Sequence, residues 1–373
     1  MNENGGIRVV HVIGSVCKGG VESVVFNYYK FIDRTKVQFD FVVDDDSPCE
    51  IPDEILNLGC RVYKIPPYTK LLAYIKALKK IFIENDYKIV HSHMNTLSVF
   101  TLYAAKKAGV PIRIAHNHST AGKGEFKRNL VKYALRPFAK LYPTHLFACS
   151  EYSGRWLFGI KEFNKGKVTV FNNAIDTSLF LFNEDMRSKV RCDLGIEDKF
   201  VIGHVGRFMT QKNHSFLIDV FNEIHKRDKK SVLLLVGDGE LRTQIEEKVK
   251  ALNLQDYVVF TGSRNNVHEL YQAMDVFVLP SLYEGLGMVA VEAQAAGLPC
   301  YISSKVPNEA ILISKQYRTL PLGVSPKIWA SSITKDLTIY QRESDTKTIV
   351  SQGYDIREVV KTLEEHYQMI INR

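Results

Sequence analysis

Short apolar runs alternate with helical patterns along almost the whole chain, and this alternation limits the possible folds more than any other feature. The runs are rich in valine, isoleucine and leucine. Continuous apolar runs joined by helices are typical of parallel strands buried on both faces, so the sequence predicts doubly wound α/β layers. The predicted strands are IRVVHVIG, FDFVV, RVYKI, YKIVH, PIRIAH, THLFAC and KVTVF, followed by KFVIGHVGR, SVLLLVGDG, YVVFTG, DVFVLPS and LPCYIS.

The strand pattern divides the chain into two halves. A chain of 373 residues is too long for one ordinary core and suits two domains of about 150 to 200 residues each. The pattern restarts after about residue 199, and the segment 172–180 is predicted to join the halves. We therefore expect one domain over residues 1–175 and another over residues 176–352.

Composition excludes several classes of protein. Hydrophobic residues make up 45% of the chain and charged residues 24%, as in globular proteins, and no apolar run approaches the roughly 18 residues of a membrane-spanning helix. The N-terminal sequence lacks the pattern of a secretory signal, so a cytoplasmic location is expected. The six cysteines have no CxxC spacing, and we expect buried, reduced thiols rather than zinc ligands or disulfides.

The net charge of +8 is unevenly distributed. Residues 1–175 contain 25 Lys and Arg against 15 Asp and Glu, which gives +10, whereas residues 176–373 contain 24 against 26, which gives −2. A basic excess confined to the first half indicates an acidic partner for that half, such as anionic lipid headgroups, a phosphorylated substrate or nucleic acid. Solubility alone is the alternative interpretation.

The stretch EGLGMVAVE, residues 284–292, follows an apolar run and contains two glutamates. Ligands bind to open parallel sheets at the carboxyl ends of strands, so Glu284 is expected in a ligand-binding loop and Glu292 in the following helix. Gly285 and Gly287 let the backbone approach a ligand, and the first N–H groups of the helix favour a phosphate. Carboxylates accept hydrogen bonds from sugar hydroxyls, so the stretch predicts a nucleotide-sugar site. The alternative is that Glu284 caps the turn and Glu292 is a solvated helix residue.

A cationic loop follows the strand VIGHVG. Gly206 comes first, Arg207 follows it directly, and Lys212 lies five residues further on. Arginine binds phosphate through paired hydrogen bonds, and lysine binds it as a point charge. We expect both side chains to face the turn at Gly285 and to bind a diphosphate.

Together these motifs resemble those of retaining glycosyltransferases with the GT-B fold. The shared features are E-x7-E after a strand, a GR…K loop, the glycine pair Gly19 and Gly20, and the segment NAID at 173–176, where the family usually has NGVD. The likeness spans nearly the whole chain and is strongest to the bacterial group that builds capsular, exopolysaccharide and lipid-linked glycans. It implies two facing Rossmann-like α/β domains, acceptor in the first and donor in the second, with a C-terminal helix in 353–373 that crosses back to the first domain.

The resemblance also assigns roles to residues. Arg207 and Lys212 would hold the donor diphosphate, Glu292 the ribose hydroxyls, and Glu284 the hydroxyls of the transferred sugar. The active-site histidine would be His118, with His116 as the alternative. The base would be recognised by backbone groups at 262–266, and the family implies a UDP-sugar. The implied catalytic residues are His118, Arg207, Lys212 and Glu284. The implied donor-binding residues are Gly19, Gly20, Gly206, Arg207, Lys212, Gly262, Ser263, Glu284, Gly285, Leu286, Gly287, Met288 and Glu292.

Metal binding is the competing explanation for stabilisation of a diphosphate. The pairs His91/His93 and His116/His118 keep it open, because residues two apart on a strand share a face. Metal-using transferases of the other common fold carry an Asp-x-Asp motif, however, and the acidic run 44–46 lies in the predicted acceptor domain. We therefore expect no metal and no other cofactor. An NAD enzyme is excluded because the first loop reads GSVCKGG rather than G-x-G-x-x-G.

The basic excess of the first half is concentrated in GKGEFKRNLVKYALRPFAKLY, residues 122–142. Arg128, Lys132, Arg136 and Lys140 form a row on a predicted helix that Pro137 should bend or end. This row predicts peripheral attachment to an anionic membrane that holds a polyprenyl-diphosphate-linked acceptor; an amphipathic core helix with a solvated basic face is the alternative. Its aromatic residues are interpreted as core residues, so nucleic acid is not expected as a partner. The acceptor-side candidates are His93, His116, Arg128 and Lys132.

The predicted function is a retaining, metal-independent transfer of a hexose or N-acetylhexosamine from a nucleotide-sugar to a lipid-linked or saccharide acceptor in surface polysaccharide synthesis. Two alternatives stay open. A GT-B nucleotide-sugar epimerase would use the same donor without an acceptor, and a catalytically silent subunit would bind a sugar nucleotide only.

Overall fold

A computed structural model describes residues 6–16, 20–120, 126–336 and 342–372 of the chain. Two compact units are formed. The first comprises the chain up to Ile175 together with the segment from Gly353 onward, and the second comprises Asp176–Gln352. No helix in the described ranges is both long enough and apolar enough to span a membrane.

The first unit is built on a parallel sheet of seven strands in the order β3-β2-β1-β4-β5-β6-β7. Its strands are β1 (Ile7–Gly14), β2 (Val37–Asp44), β3 (Val62–Ile65), β4 (Ile89–Ser92), β5 (Ile112–Asn117), β6 (His145–Ala148) and β7 (Val168–Val170). Helices connect them: α1 (Gly20–Phe31), α2 (Asp53–Leu56), α3 (Leu71–Glu84), α4 (Ser98–Lys107), α5 (Phe126–Leu135), α6 (Glu151–Phe158) and α7 (Ile160–Asn164). Strands β1 and β2 are almost entirely buried because helices cover both faces of the sheet.

The second unit repeats this plan with six parallel strands in the order β10-β9-β8-β11-β12-β13. The strands are β8 (Phe200–Val205), β9 (Ser231–Val236), β10 (Val258–Gly262), β11 (Val276–Leu279), β12 (Cys300–Ser303) and β13 (Tyr317–Leu320). The helices are α8 (Glu184–Leu194), α9 (His214–Arg227), α10 (Arg242–Ala251), α11 (Val267–Ala273), α12 (Met288–Ala295), α13 (Pro326–Asp336) and α14 (Thr346–Ser351). The order reverses between β8 and β11, the kind of position where ligands bind at the carboxyl ends of strands.

The last helix, α15 (Ile356–Ile371), belongs to the first unit and completes its core. Val360, Leu363 and Tyr367 lie in the same apolar cluster as Val25 of α1 and Phe39 of β2. Asp355 caps the helix by accepting a hydrogen bond from the backbone N–H of Arg357. These contacts of α15 confirm the prediction of a C-terminal helix that returns to the first domain.

Two details differ from the sequence-based expectation, and a third agrees with it. The edge strand β13 escaped prediction, because two of its four side chains are exposed and the run is too short for a pattern. Cys149 and Cys300 are buried free thiols as expected, but the expectation is wrong for Cys192, which is exposed at the end of α8. The prediction for Pro137 is confirmed: α5 ends at Leu135, and a 3-10 turn follows it.

Candidate active site

The turn between β11 and α12 holds Glu284 in a fixed orientation. Its Oε1 accepts hydrogen bonds from Lys212 Nζ at 2.7 Å and from Ser281 Oγ at 2.7 Å, and its Oε2 accepts one from Gln211 Nε2 at 3.0 Å. Gln211 Nε2 also donates to the carbonyl of Tyr283, which ties the loop after β8 to the loop after β11. The glutamate is 8% exposed, and three donors hold its carboxylate in place.

Lys212 reaches Glu284 because Gly206 leaves space for its side chain. A Cβ atom at Gly206 would lie 3.1 Å from Lys212 Cδ and Cε and 3.0 Å from His204 Nε2. The side-chain exposure of Lys212 is 13% and that of Glu284 is 7%, so the ion pair is largely removed from solvent. The structure therefore brings two of the predicted site residues into direct contact, as a pair rather than as independent binders.

Arg207 is held differently from Lys212. Its side chain is exposed, and within the described ranges it makes no side-chain hydrogen bond or ion pair. The backbone on either side is fixed, since Phe208 N donates to the Asp238 carbonyl at 2.9 Å and Leu241 N donates to the Phe208 carbonyl at 2.9 Å. Arg207 thus presents an uncommitted guanidinium from a rigid loop.

The N-terminus of α12 begins immediately after this turn. Gly287 has φ of 90°, which favours glycine, and a Cβ there would lie 3.2 Å from Val306 Cγ1. No described side chain caps the first turn of α12, so its amides are available to an anion. Leu286 is buried, while Gly285 and Met288 are half-buried on the same turn.

Glu292 lies within α12 and is held by a second element. Tyr271 of α11 donates a hydrogen bond to Glu292 Oε2 at 2.9 Å. Burial raises the pKa of the Glu292 carboxyl, while the hydrogen bond from Tyr271 and the charge of Lys212 oppose this rise. The alternative that Glu292 is a solvated helix residue is wrong in this respect, since the carboxylate is half-buried and hydrogen-bonded.

Two buried histidines lie next to the Lys212 loop and were missed by the sequence analysis. His204 is the penultimate residue of β8 and His214 begins α9, with ring centroids 4.7 Å apart. Burial lowers the pKa of His204 to about 4 and that of His214 to about 2, so both rings are neutral at pH 7. Neutral rings beside Lys212 add no positive charge to compete for Glu284.

Gln211, Ser281 and Tyr271 were also missed. Ser281 lies three residues before Glu284, and Gln211 directly precedes Lys212, so their closeness in sequence to predicted residues was the available signal. Tyr271 gave no such signal, because its contact with Glu292 depends on the packing of α11 against α12. The remaining donor-side candidates are Gly262, which has φ of 71° at the end of β10, and the exposed Ser263.

In the first unit, His118 follows β5 and is almost fully buried. Its Nδ1 lies 3.2 Å from Asn173 Oδ1, and its Nε2 lies 2.8 Å from His93 Nδ1. Burial lowers the pKa of His118 to about 4. His116, the alternative candidate, lies 3.1 Å through Nδ1 from His91 Nε2, and the two candidate rings stack with centroids 4.0 Å apart. Both candidates therefore belong to one buried group.

Gly20 and Lys132 are the other candidates of the first unit whose surroundings the structure describes. Gly20 is the exposed first residue of α1, with no atom within 4 Å of a Cβ placed there. Gly19 and the side chain of Arg128 lie outside the described residues. Lys132 Nζ donates to the carbonyl of Thr120 at 2.9 Å, just beyond β5.

The interpretation of α5 as a core helix is wrong. Leu130 is 67% exposed, Tyr133 54% and Phe138 51%, and Ala134 is also exposed. The physical reason is position: the main contacts of α5 are with short 3-10 turns rather than with a strand, so its apolar residues have no sheet to cover them. The aromatic residues that argued against nucleic acid as a partner are thus surface residues where the structure describes them.

Comparison with known proteins agrees with this architecture. A family model described as Glycosyl transferases group 1 matches residues 186–321, and one described as Glycosyltransferase Family 4 matches residues 18–179. The chain is 36% identical over 370 residues to a Bacillus subtilis (strain 168) protein named as the glycosyltransferase EpsF, covering 97% of this chain and 96% of that protein. It is 25% identical over 392 residues to the Escherichia coli UDP-Gal:alpha-D-GlcNAc-diphosphoundecaprenol alpha-1,3-galactosyltransferase, covering 98% of both.

Among solved structures, Anabaena Alr3699/HepE in complex with UDP-glucose superposes with a TM-score of 0.80 at 19% identity, covering 97% of this chain and 100% of that one. The predicted α/β class and GT-B fold are confirmed by the two parallel sheets and by this similarity. Two matched domains and a relative of more than a third identity over nearly the full length show that the chain belongs to the GT-B glycosyltransferases, in the group that builds capsular polysaccharides and exopolysaccharides.

Proposed function

We propose that this protein is a retaining glycosyltransferase that moves a hexose or N-acetylhexosamine from a UDP-sugar to a lipid-linked or saccharide acceptor in surface polysaccharide synthesis. The observation that carries the proposal is the Lys212–Glu284 pair at the N-terminus of α12. The loop after β8 supplies a cation, and the turn before α12 supplies a fixed carboxylate and uncapped helix amides. These are the groups that a diphosphate joined to a sugar requires.

In the proposed reaction, the oxygen of an acceptor hydroxyl bonds to the anomeric carbon as the bond between that carbon and the diphosphate oxygen breaks. Negative charge grows on the departing UDP, which takes up the proton of the acceptor hydroxyl. Arg207, Lys212 and the first amides of α12 stabilise this charge. Removal of one preorganised donor typically lowers turnover by about 10²- to 10³-fold. Arg207→Ala and Lys212→Ala are each expected to lower kcat by at least about 100-fold, and near-normal turnover in both variants would refute the assignment.

The Glu284 carboxylate can accept one hydrogen bond from the transferred sugar. An ionised carboxylate offers about four acceptor positions, and Lys212, Ser281 and Gln211 occupy three of them. The remaining position, on Oε2, accepts one hydroxyl of the sugar in this proposal. A donor that lacks this hydroxyl is expected to react more slowly with the wild type than the complete donor does. In Glu284→Gln, the difference in turnover rate between the complete donor and the one that lacks the hydroxyl should be smaller.

His118 is proposed to orient the sugar as its charge develops. Both of its ring nitrogens have partners inside the first unit, so contact with the sugar requires one of these hydrogen bonds to be exchanged. Asn173→Ala frees His118 Nδ1. We expect this variant to change kcat more than the affinity for UDP, which calorimetry measures separately from turnover. A loss of UDP affinity without a change in kcat would contradict this role.

The choice of UDP-sugar as donor is supported by two similar proteins. The E. coli relative is named for a UDP-Gal donor and a diphosphoundecaprenol acceptor, and the Anabaena structure contains UDP-glucose. The donor chemistry is proposed to need no metal, because Arg207, Lys212 and α12 supply the positive potential. Turnover that stops in EDTA and returns with Mg²⁺ or Mn²⁺ would refute metal independence.

The first experiment is thermal denaturation with UDP, GDP, ADP and CMP in EDTA, for the wild type and Glu292→Ala. A nucleotide at a hundred times its dissociation constant stabilises the protein by about 2.7 kcal/mol, enough to shift Tm by degrees. UDP alone should raise the Tm, and less so in the variant. A shift with another nucleotide refutes the UDP assignment, and no shift with any nucleotide removes support for a metal-free donor site.

Two further measurements separate the alternatives. Retention is tested by NMR of the glycosidic bond, whose anomeric configuration should match that of the donor. An epimerase would convert the UDP-sugar without an acceptor, and a silent subunit would bind UDP without turnover. Product that forms only with an acceptor, and with the donor's configuration, supports the proposed reaction over both alternatives.

The acceptor side is proposed to lie at an anionic membrane surface. Leu130, Tyr133, Phe138, Leu141 and Ile160 are exposed apolar residues of the first unit, and Arg136, Lys140 and Lys161 are the cations near them in the chain. A shallow pocket of about 560 Å³ is lined by these three cations together with Tyr152, Trp156 and Ile160. Exposed apolar side chains among cations are typical of a surface that inserts at a lipid interface, which gives the enzyme a peripheral location on the cytoplasmic face.

Liposome sedimentation tests this surface. Each interfacial cation contributes about 1 kcal/mol of binding to anionic lipid, so Arg136→Ala with Lys140→Ala should weaken binding about 30-fold. Lys229→Ala with Lys230→Ala, exposed in the second unit, is the matched control and should bind like the wild type. Equal binding to neutral and anionic vesicles, or no binding to either, would refute the proposal.

A further inference from the structure

Five histidines of the first unit form one buried cluster on the neighbouring strands β1, β4 and β5 and on the residues that directly follow β4 and β5. They are His11, His91, His93, His116 and His118, and none is more than 9% exposed. His11 of β1 is the register partner of His91 of β4, and His93 follows β4 on the same side. The donor chemistry leaves His11 and His91 without any role.

The hydrogen bonds of the cluster define its tautomers. His11 and His93 are buried with stacked rings, and burial favours the neutral imidazole, so each ring carries one N–H. Asn173 Oδ1 only accepts, so His118 donates to it from Nδ1 and accepts at Nε2 from His93 Nδ1–H. His93 Nε2 then accepts from His11 Nδ1–H at 2.9 Å.

This order leaves the lone pair of His11 Nε2 without a donor. The atom is buried, and no atom of the described residues forms a hydrogen bond with it. A buried polar atom of this kind is uncommon in native proteins, and a bound water or ion is one explanation for it; His116 Nε2 in the same cluster shares this property. The unprotonated ring nitrogen of a neutral imidazole is also the atom that binds transition metals.

We propose that His11, His91 and His93 bind one divalent transition-metal ion, with Zn²⁺ as the reference cation. One ring nitrogen from each of the three lies within 4.8 Å of the others. Tetrahedral Zn²⁺ with bonds of about 2.1 Å places its ligand atoms about 3.4 Å apart. Ring rotations that move the nitrogens by about an ångström therefore bring them to the distances that Zn²⁺ requires. Three neutral imidazoles suit Zn²⁺, Ni²⁺ or Cu²⁺ and do not suit Mg²⁺ or Ca²⁺.

The surrounding hydrogen bonds favour this trio. His91 Nδ1 lies 2.6 Å from the hydroxyl of Tyr367, and His93 Nδ1 is bonded to His118, which leaves Nε2 of both rings for the metal once their inner hydrogen bonds are given up. Outer partners of this kind orient metal-binding imidazoles. A second trio of His93, His116 and His118 meets the same distance criterion, but it includes the histidine proposed to contact the sugar.

The test is metal binding to the full-length protein, stripped of metal and refolded in the presence of Co²⁺ or Zn²⁺. One equivalent of Co²⁺ per chain is expected, with the intense visible absorption of four-coordinate Co²⁺. His11→Gln and His93→Gln should each weaken binding about 100-fold or more. His225→Gln is the control, since His225 is a buried histidine of the second unit, and it should bind like the wild type.

A second readout keeps the test valid if a variant is less stable. Zn²⁺ should raise the Tm of the wild type and of His225→Gln, with reversal by a chelator, whereas the Tm of His11→Gln should not respond to Zn²⁺. Wild-type protein that binds no metal would overturn the proposal. So would undiminished Co²⁺ binding by His11→Gln, or a loss confined to His116→Gln, which would place the metal in the second trio. Neither readout depends on glycosyl transfer.

Discussion

The ion pair between Lys212 and Glu284 predicts strong thermodynamic coupling between the two residues. Lys212→Met keeps the aliphatic stem and removes the charge, while Glu284→Gln keeps the shape of the carboxylate. Removing one member of a buried ion pair typically costs about 3 to 5 kcal/mol. Here Glu284 retains the hydrogen bonds from Ser281 and Gln211, and Lys212 is 13% exposed. We therefore expect Lys212→Met to lower the free energy of unfolding by about 2 to 3 kcal/mol, and Glu284→Gln by about 1 to 2.

The double variant should be less unstable than the sum of the single variants. Once Lys212 has lost its charge, neutralising Glu284 removes an uncompensated buried carboxylate instead of breaking a pair. Contacting charges typically show interaction energies of about 0.5 to 3 kcal/mol, and this geometry places the expected value near 2. Additivity within about 0.5 kcal/mol would refute the reasoning, because it would mean that the contact stores no free energy.

The assay can be confined to the unit that holds the pair. The chain has two tryptophans: Trp329 is fully buried in the second unit, and Trp156 lies in the first. In a Trp156→Phe background, urea unfolding followed by fluorescence reports the second unit alone. All four members of the cycle are measured in that background.

Three further predictions rest on single contacts. Gly206→Ala places a methyl group against the Lys212 side chain and should lower kcat about 10-fold, whereas Gly323→Ala, with open space around it, should leave kcat unchanged. Tyr271→Phe removes the donor to Glu292 and should weaken UDP binding about 5- to 10-fold by calorimetry; unchanged affinity would contradict a role in ribose binding. Burial, with the charges of Asp46 and Asp45, raises the pKa of Asp44 from 3.8 to about 6, so the folded state binds this proton more tightly and stability falls as pH rises from about 4 to 6. Asp44→Asn should therefore be more stable than wild type by about 1 to 3 kcal/mol at pH 7.5 and nearly equal at pH 4, and the same difference at both pH values would contradict this.

The sequence predicted the parallel sheets and the turn after β11 because both leave strong local patterns. Buried parallel strands are continuous apolar runs, and the glycines of EGLG lie at fixed distances from Glu284. The partners of the site residues left weaker patterns. Tyr271 meets Glu292 only through packing between helices, and contacts of that kind have no signature in a single sequence. The exposed face of α5 was misinterpreted for the same reason, since Leu130 and Phe138 have the spacing of a core helix without a sheet to cover them.

The hydrogen bonds between Ile175 and the segment 354–356 bear on the order in which the chain folds. Ile175 N donates to the Tyr354 carbonyl at 3.0 Å, and Ile356 N donates to the Ile175 carbonyl at 2.9 Å, so the segments that leave and re-enter the first unit lie side by side. The second unit is thus an insertion whose two ends are adjacent. During synthesis it can fold while the first unit still lacks α15 and exposes the apolar groove that Leu363 and Tyr367 fill. A ribosome-bound chain that ends before α15 is therefore expected to recruit chaperones to its first unit, although that unit comes first in the sequence.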